Sequence, residues 1–283
     1  MRKSVRVIPF VVFLISLAVS AEEHRYQPVS RETIEARLGR YAGKDPQREE
    51  TLKKIFGEAG CDEQHLSELP VKGSRMPNVV CLLPGNSERT IIVGAHFDHV
   101  SAGDGVVDNW SGASLLPSLY EAIKSEPHKH TFVFIGFTDE ERGLVGSHFY
   151  AKNMSKEQLS QTDAMVNMDT LGLAPTEVWS GHSDKNLTKA LAYVAQKLNM
   201  RATDVYIPAG VSADSEEFAA RKIPSITIHS LTQETWNERI LHSPKDKLSA
   251  IRIGDYYQTY CLLSAYLDFL DAVLPFTPEP QSR

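Results

Sequence analysis

Four apolar runs in this chain are followed by side chains that can hold a metal or move a proton. His96, Asp98 and His99 follow TIIVGA, with Asp104 and Asp108 a little further on; Asp139, Glu140 and Glu141 follow TFVFIGF; Asp169 follows AMVNM; His242, in LHSPKDKL, comes after SITIHS. Imidazoles and carboxylates without a cysteine among them suit a divalent ion of the zinc, cobalt or manganese type and exclude a soft thiolate site. If two such ions sit roughly 3.5–4 Å apart, they need a shared carboxylate and further donors each, a demand that one bridge and two pairs satisfy. His96 and Asp98 are two apart on an extended chain and share a face, so the carboxylate can accept the second ring N–H of a ligand histidine and fix its tautomer. Glu140 and Glu141 are adjacent and point in different directions, so one can bind metal while the other faces the bound water as general base. Singly, each ending is also an ordinary polar loop.

The elements that must position these groups follow from the apolar pattern. NVVCLL, TIIVGA, TFVFIGF, AMVNM, ATDVYI and SITIHS are short β-branched runs, mostly continuous rather than alternating, as in strands covered on both faces. Helix-like segments at 111–124, 144–152, 184–199, 214–221 and 251–273 lie between or after them. This alternation predicts an α/β fold: a single-domain three-layer α/β/α sandwich around a mostly parallel, mixed sheet. Functional groups of such sheets collect beyond the carboxyl ends of the strands, where the residues above stand. Residues 22–70 read as polar and helical, SRETIEARL forming one helix and DPQREETLKKIFGEAG another that starts at Asp45 and Pro46. In the last helix Ile253, Tyr257, Tyr260, Leu263, Leu267 and Leu270 recur at three- and four-residue spacing and are expected in the core.

With 283 residues and 42% hydrophobic content the chain can bury a sizeable core. MRKSVR followed by VIPFVVFLISLAVS reads as an export signal cleaved near Ala21, the apolar run falling short of a spanning helix; an uncleaved anchor is the alternative. Cleavage removes Arg2, Lys3 and Arg6 and no acid, taking the formal charge from −6 to −9, which argues against nucleic acid as a partner. Three cysteines, none in a CxxC, allow at most one intrachain bridge; Cys61 with Cys81 is the candidate pair, and buried free thiols are an equal alternative. Asp104 reads as turn chemistry in SAGDG. His99 is either a pocket residue or a hydrogen-bonded structural histidine, and Trp110 either a pocket wall or core. His128 and His130 are expected in an exposed loop, His148 and His182 show no partner pattern, and His229, ending a strand, is a candidate to support the site.

Five quoted segments, VGAHFDHV, VVDNWSGAS, FTDEERGLVGS, VNMDTLG and LHSPKDKL, occur in the order and approximate spacing of the bacterial leucyl aminopeptidase-like zinc peptidases, which the chain resembles over about residues 75–270. That family includes secreted aminopeptidases, glutamate carboxypeptidase-like enzymes and glutaminyl cyclases. The resemblance implies a zinc exopeptidase-like fold and two divalent ions, zinc first. Asp108 would bridge them, with His96 and Asp169 on one ion and Glu141 and His242 on the other; Glu140 would be the general base and Asp98 would orient His96. Asp214 in VSADSEEF falls where the family often has a Ser-Asp pair, but here the pair is Ala213-Asp214, and Gly210 and Val211 stand where some aminopeptidases carry a tyrosine that stabilises the transition state. His99, Trp110 and Asp214 are thus candidates for the pocket or its support. The implied organisation is a signal at 1–21, an N-terminal helical segment at 22–74, a peptidase domain at 75–274 and a loose tail at 275–283. The implied activity is removal of N-terminal residues from peptides or small amides with a free N-terminus, by an exported enzyme without a membrane span after cleavage; the oligomeric state is left open. A single-zinc glutaminyl cyclase and a metal-free, receptor-like binding protein are the alternatives.

Overall fold

The computed structural model describes residues 26–205 and 210–275. The export signal at 1–21, the tail beyond 275 and the end of the ATDVYI run lie outside the described residues.

In chain order the elements are α1 (Arg31–Leu38), α2 (Asp45–Glu58), β1 (Leu66–Leu69), β2 (Asn78–Leu83), β3 (Thr90–His96), α3 (Ser111–Ile123), β4 (Thr131–Phe137), α4 (Val145–Asn153), α5 (Lys156–Gln161), β5 (Thr162–Met168), β6 (Thr176–Val178), α6 (Lys185–Lys197), β7 (Ala202–Asp204), α7 (Ser215–Ala219), β8 (Ser225–His229), α8 (Gln233–Asn237) and α9 (Ile253–Val273). The strands form one sheet in the order β1-β2-β4-β3-β5-β8-β6-β7. β4, β3, β5 and β8 are parallel, while β1 and β2 on one side and β6 on the other introduce antiparallel pairs. From β3 the chain steps to β4 on one side and then crosses to β5 on the other. Such a reversal opens a crevice at the carboxyl end of β3, where His96 stands.

Alternation along the strands makes the layers. Ile91, Val93 and Ala95 of β3 join Val166, Met168, Ile226 and Ile228 in the larger core beneath α1, α2, α3, α6 and α9. Ile92, Ile135, Phe137 and Met165 point the other way, against Ala151 of α4 and Phe218 of α7. Tight approach at the sheet edge requires glycine: a Cβ on Gly112, in the first turn of α3, would lie 2.7 Å from the Met168 carbonyl at the end of β5. Among the described residues, no helix is long and apolar enough to cross a membrane.

Several elements depart from the sequence reading. The segment read as helical before residue 70 also supplies β1, an edge strand paired with β2, and β6 is a second short strand that its polar composition hid. In α9 the fully buried aromatics are Tyr256, Tyr260 and Tyr266, whereas Ile253 and Tyr257 are only partly buried. Cys61 and Cys81 form the disulfide, and Cys261 is free. His128 and His130, expected in an exposed loop, are buried because the end of α9 packs over the start of β4. There the His130 ring bridges Asp271 and Asp163, at 3.0 Å to each, and Asp271 also accepts the backbone N–H groups of Lys129 (3.1 Å) and His130 (2.7 Å). Asp163 in turn pairs with Arg89. Burial raises the Asp271 pKa, but the nearby His128 ring and the hydrogen bonds from His130 and the two backbone groups outweigh it and hold the carboxyl well below the usual range.

A folded pKa depressed in this way contributes stability above the unfolded carboxylate pKa of about 4 and loses it as pH falls. Asp271→Asn is therefore expected to lower the unfolding free energy by about 2 kcal/mol near neutral pH, on the scale of hydrogen bonds to a charged group. The deficit relative to wild type should shrink as pH falls below about 4, because the unfolded wild-type chain then binds a proton at this carboxylate that the folded protein does not, which lowers wild-type stability towards that of the variant. Urea unfolding of both proteins across that range checks this; a deficit independent of pH would contradict it.

Candidate metal centre

Each side chain of the centre is delivered by the end of a rigid element. His96 is the last residue of β3, and Asp169 immediately follows β5. Glu140 and Glu141 open a tight turn after β4, entered through Asp139 in the left-handed region (φ 53°). Asp108 lies in the wide turn Val106–Trp110 that leads into α3, and His242 follows α8, also with positive φ (52°).

These residues meet as two groups of three that share one member. His96, Asp108 and Asp169 form the first, with His96 Nε2 3.3 Å from Asp108 Oδ1 and 3.7 Å from Asp169 Oδ1. Asp108, Glu141 and His242 form the second, with His242 Nε2 3.3 Å from Asp108 Oδ2 and 3.0 Å from Glu141 Oε2. Asp108 thus turns one oxygen to each group. Glu140 belongs to neither, although its Oε2 stands 4.0 Å from His96 Nε2. A third acidic cluster, Glu49, Glu50 and Glu68, is a different case, because the Lys53 ammonium pairs with all three carboxylates.

The supporting bonds were only partly visible in the sequence. Asp98 was expected to orient His96; the nearer acceptor to His96 Nδ1 is the Asp98 backbone carbonyl (3.2 Å), with Oδ1 at 3.5 Å. The two Asp98 carboxylate oxygens accept the backbone N–H groups of Glu140 (3.0 Å) and Glu141 (3.1 Å), fixing the glutamate turn against β3. Asp246, missed by the sequence reading although it lies in the quoted LHSPKDKL, accepts the N–H groups of Val107 (2.7 Å) and Asp108 (3.1 Å). It therefore couples the His242 loop to the shared carboxylate. Asn109, the residue after Asp108, donates to the Met168 carbonyl (2.9 Å) and accepts from the Thr170 N–H (3.2 Å), so it grips both neighbours of Asp169, and it also accepts from the Gly112 N–H (2.9 Å). Arg48 of α2, fully buried, donates to the carbonyls of Gly105 (2.9 Å), Asp104 and Ala42 (2.7 Å). No local motif announced it. Asp104 itself stays outside the centre, as a turn residue would.

Carboxylates are concentrated here, and the buried Arg48 guanidinium acts on Asp108 and Asp98 without pairing directly with them. Among the described residues, no lysine or arginine pairs with Asp108, Glu140, Glu141 or Asp169. Burial opposes a charge on His96, yet Glu140, Asp108, Asp169 and Asp98 around it raise its pKa well above the ordinary value. Hydrogen bonds to Asp108 and Glu141 push His242 up to about 10. For Asp108, burial acts upwards but the two imidazoles prevail and depress it. Glu140, buried beside Asp214, Asp169 and Asp108 and only partly relieved by His96, is pushed up to about 10. Burial likewise raises Glu141, whose Oε1 is sheltered and without a partner. The imidazoles thus stand in as counter-charges within the two donor groups, where carboxylates are in surplus. An arrangement of hard oxygen and imidazole donors with that surplus fits one or two divalent cations.

The centre forms one wall of a cavity of about 1130 Å³, whose other walls include Trp179, Val211, His229, Leu231, Trp236 and Ile240. His99 and Trp110, each read as either a pocket residue or a structural one, do not line this cavity. His99 points away and is hydrogen-bonded to Asp45 of α2 (2.6 Å), so it ties that helix to the loop. Trp110 is wholly buried in the core, its ring N–H donating to the Leu38 carbonyl (3.0 Å). Asp214 is buried next to the centre rather than on the cavity wall; desolvation first, and then Asp169 and Asp98 against the relief from His96, raises its pKa to about 7. Gly210 and Val211 do line the cavity. His229 is buried on its wall, and desolvation lowers its pKa to about 3. His148 and His182 find partners in Glu217 (2.9 Å) and Glu216 (3.2 Å).

The family model for peptidase family M28 matches residues 78–266, from the first residue of β2 to within α9. The chain belongs to this family. The M28 match contains all five residues of the two donor groups, whereas α1, α2 and β1 precede it. The chain is 35% identical over 82 residues to aminopeptidase YwaD of Bacillus subtilis, an alignment that covers 29% of this chain and 18% of that protein. The match thus spans less than a fifth of that protein's length. The fold is similar to the structure of BSAP, a zinc aminopeptidase from Bacillus subtilis (TM-score 0.63, 24% identity, 74% of this chain and 52% of that one). It is also similar to the glutaminyl cyclase of an Acidobacteriales bacterium (TM-score 0.71, 15% identity, 87% and 97%). Both comparisons agree with the mixed, mostly parallel sheet of the M28 chain.

Removing the Asp246 carboxylate should release the Asp108 turn while leaving all five donors in place. Asp246→Ala is expected to weaken Zn²⁺ or Co²⁺ binding by roughly 10- to 100-fold, as loss of a ligand's hydrogen-bonded support does. Competition with a metallochromic chelator measures this, with the thermal midpoint of the metal-free protein as control; unchanged affinity would show that Asp246 does not position Asp108.

Proposed function

We propose that this chain is an exported di-zinc aminopeptidase that hydrolyses single residues from the N-termini of peptides. The observation that carries the reading is the sharing of Asp108, whose two oxygens face two separate donor groups of matched composition. His96, Asp108 and Asp169 would hold one zinc and Asp108, Glu141 and His242 the other. Zinc, when bound, supplies Lewis acidity towards a carbonyl oxygen and lowers the pKa of a water towards neutrality.

The chain's own groups account for the rest. Glu140 stands beside the first donor group without belonging to it, so its carboxylate is available to take a proton from the attacking water and pass it to the leaving amine. Asp98 holds that glutamate's backbone, so the base acts from a fixed position. The raised Glu140 pKa belongs to the crowd of carboxylates around it, and a divalent charge would offset it. The apolar walls formed by Trp179, Trp236, Leu231 and Ile240 offer a place for the first side chain of a peptide, with the carboxylates of the centre near enough to receive its free amine. Within the chain, 1–21 would be the export signal and 75–274 the peptidase domain, with 22–74 docked on it; the intact mass of the exported protein would locate the cut near Ala21.

A second reading, a single-zinc glutaminyl cyclase, draws support from the fold match over 97% of the cyclase chain. The metal-free receptor-like reading has no such support, since all five donors are retained.

Zinc content separates the three: about two equivalents per chain for the peptidase, one for the cyclase and none for the receptor-like protein. With zinc bound, peptides bearing a free N-terminus should be cut and their N-acetylated forms should not; equal rates on both would reject the aminopeptidase. Glu140→Gln should retain its zinc and lose roughly 10²-fold or more in kcat. Near-normal turnover would remove Glu140 from its role.

A further inference from the structure

One polar group on the cavity wall is not used by the chemistry above. Ile226 and Ile228 of β8 point into the larger core, so Thr227 and His229 face the opposite way, and both line the cavity. Met168 of β5 pairs with Ile228, and the Asp169 N–H donates to the Ile228 carbonyl at 2.9 Å. His229 is therefore the neighbour of Asp169 across the β5–β8 pairing, on the same face of the sheet and one strand spacing away.

The backbone settles the state of its ring. His229 Nδ1 accepts the Leu231 N–H at 2.9 Å. A ring nitrogen that accepts a hydrogen bond carries no proton, so the imidazole is neutral and its hydrogen sits on Nε2. That Nε2 is sheltered from solvent and has no hydrogen-bond partner. The buried hydroxyls of the wall are already engaged: Thr170 donates to Asp169 (3.1 Å), Thr227 pairs with Ser215 (2.6 Å) and Thr235 donates to the Thr232 carbonyl (3.2 Å). A buried N–H without an acceptor is costly, so a donor kept in this state calls for an acceptor from outside the chain.

We propose that His229 Nε2–H donates a hydrogen bond to the carbonyl oxygen of the scissile peptide bond, which gains negative charge as the carbonyl is attacked. This rests on the peptidase reading and supplies a donor that Gly210 and Val211, with no polar side-chain atom, cannot provide. No proton is transferred: the bond shortens as charge builds on the oxygen and relaxes when the carbonyl re-forms. A neutral donor fixed in tautomer by a backbone amide needs no reorganisation during the reaction, the condition under which such donors are most effective.

The test compares the zinc-loaded full chain with His229→Phe, which fills the ring's volume without the N–H, and His229→Gln, which keeps an N–H donor of similar reach. On a leucyl dipeptide, the Phe variant should lose roughly 10²-fold in kcat with KM changed only a few-fold and zinc content unaltered, and the Gln variant should recover part of the loss. Imidazole ¹⁵N NMR of the wild type should show His229 as the Nε2–H tautomer between about pH 5 and 9, with that proton moving downfield when a phosphinic dipeptide analogue is added. Wild-type kcat in the Phe variant, or an Nε2–H signal that ignores the analogue, would overturn the proposal. If the zinc-loaded wild type cuts no peptide, the peptidase reading falls, while the NMR response still decides whether this donor meets a tetrahedral oxyanion.

Discussion

The constraint on which this structure turns is the crowding of like charge around Asp108. Four carboxylates, those of Asp108, Glu140, Glu141 and Asp169, lie around two imidazoles at the edge of a sheet, with no lysine or arginine paired to them among the described residues. Left to themselves such groups would repel and turn towards water. They are held by rigid strand ends and by backbone N–H groups aimed at neighbouring carboxylates, Asp98 binding the glutamate turn and Asp246 binding the Asp108 turn. The fold thus keeps a carboxylate-rich cage assembled in advance, and a divalent cation is the species that it suits.

Much of this was legible because the donors stand at the ends of continuous apolar runs. His96, Glu140, Glu141 and Asp169 each follow a run whose composition already marks a buried strand, so their convergence follows from sheet topology. Asp108 and His242 lie in loops further from the runs they follow, and only the motif resemblance assigned their roles and set Asp108 above Asp104. Residues whose task is to bond backbone left no local trace. Arg48 sits in an ordinary charged helix sequence, and nothing nearby says that its guanidinium reaches the carbonyls of a loop 56 and 57 residues on. His128 and His130 were misread for the same reason, since their partner Asp271 lies at the far end of the chain. The short strands β1 and β6 carry too few apolar residues to be distinguished from turns or helix.

His99 and Trp110 show how nearness in sequence misleads about nearness to a site. Both flank donors, His99 three residues after His96 and Trp110 two after Asp108, and both turn away from the cavity towards the N-terminal helices. Their work is to seat α1 and α2 against the loop that carries Asp108, alongside Arg48. The walls of the cavity come instead from the segments around Trp179, His229 and Trp236.

Arg48 gives that seating a thermodynamic meaning. Its helix precedes the region matched by the family model, yet its guanidinium closes on the carbonyls of Asp104 and Gly105, immediately before the turn that presents Asp108. Coupling of this kind is reciprocal: if docking of α2 favours the cation-ready arrangement of the turn, a bound cation favours docking of α2 by the same free energy. Occupancy of the centre and attachment of the N-terminal helices then form one equilibrium, with Cys61–Cys81 limiting how far the chain after α2 can drift from β2 when that equilibrium shifts.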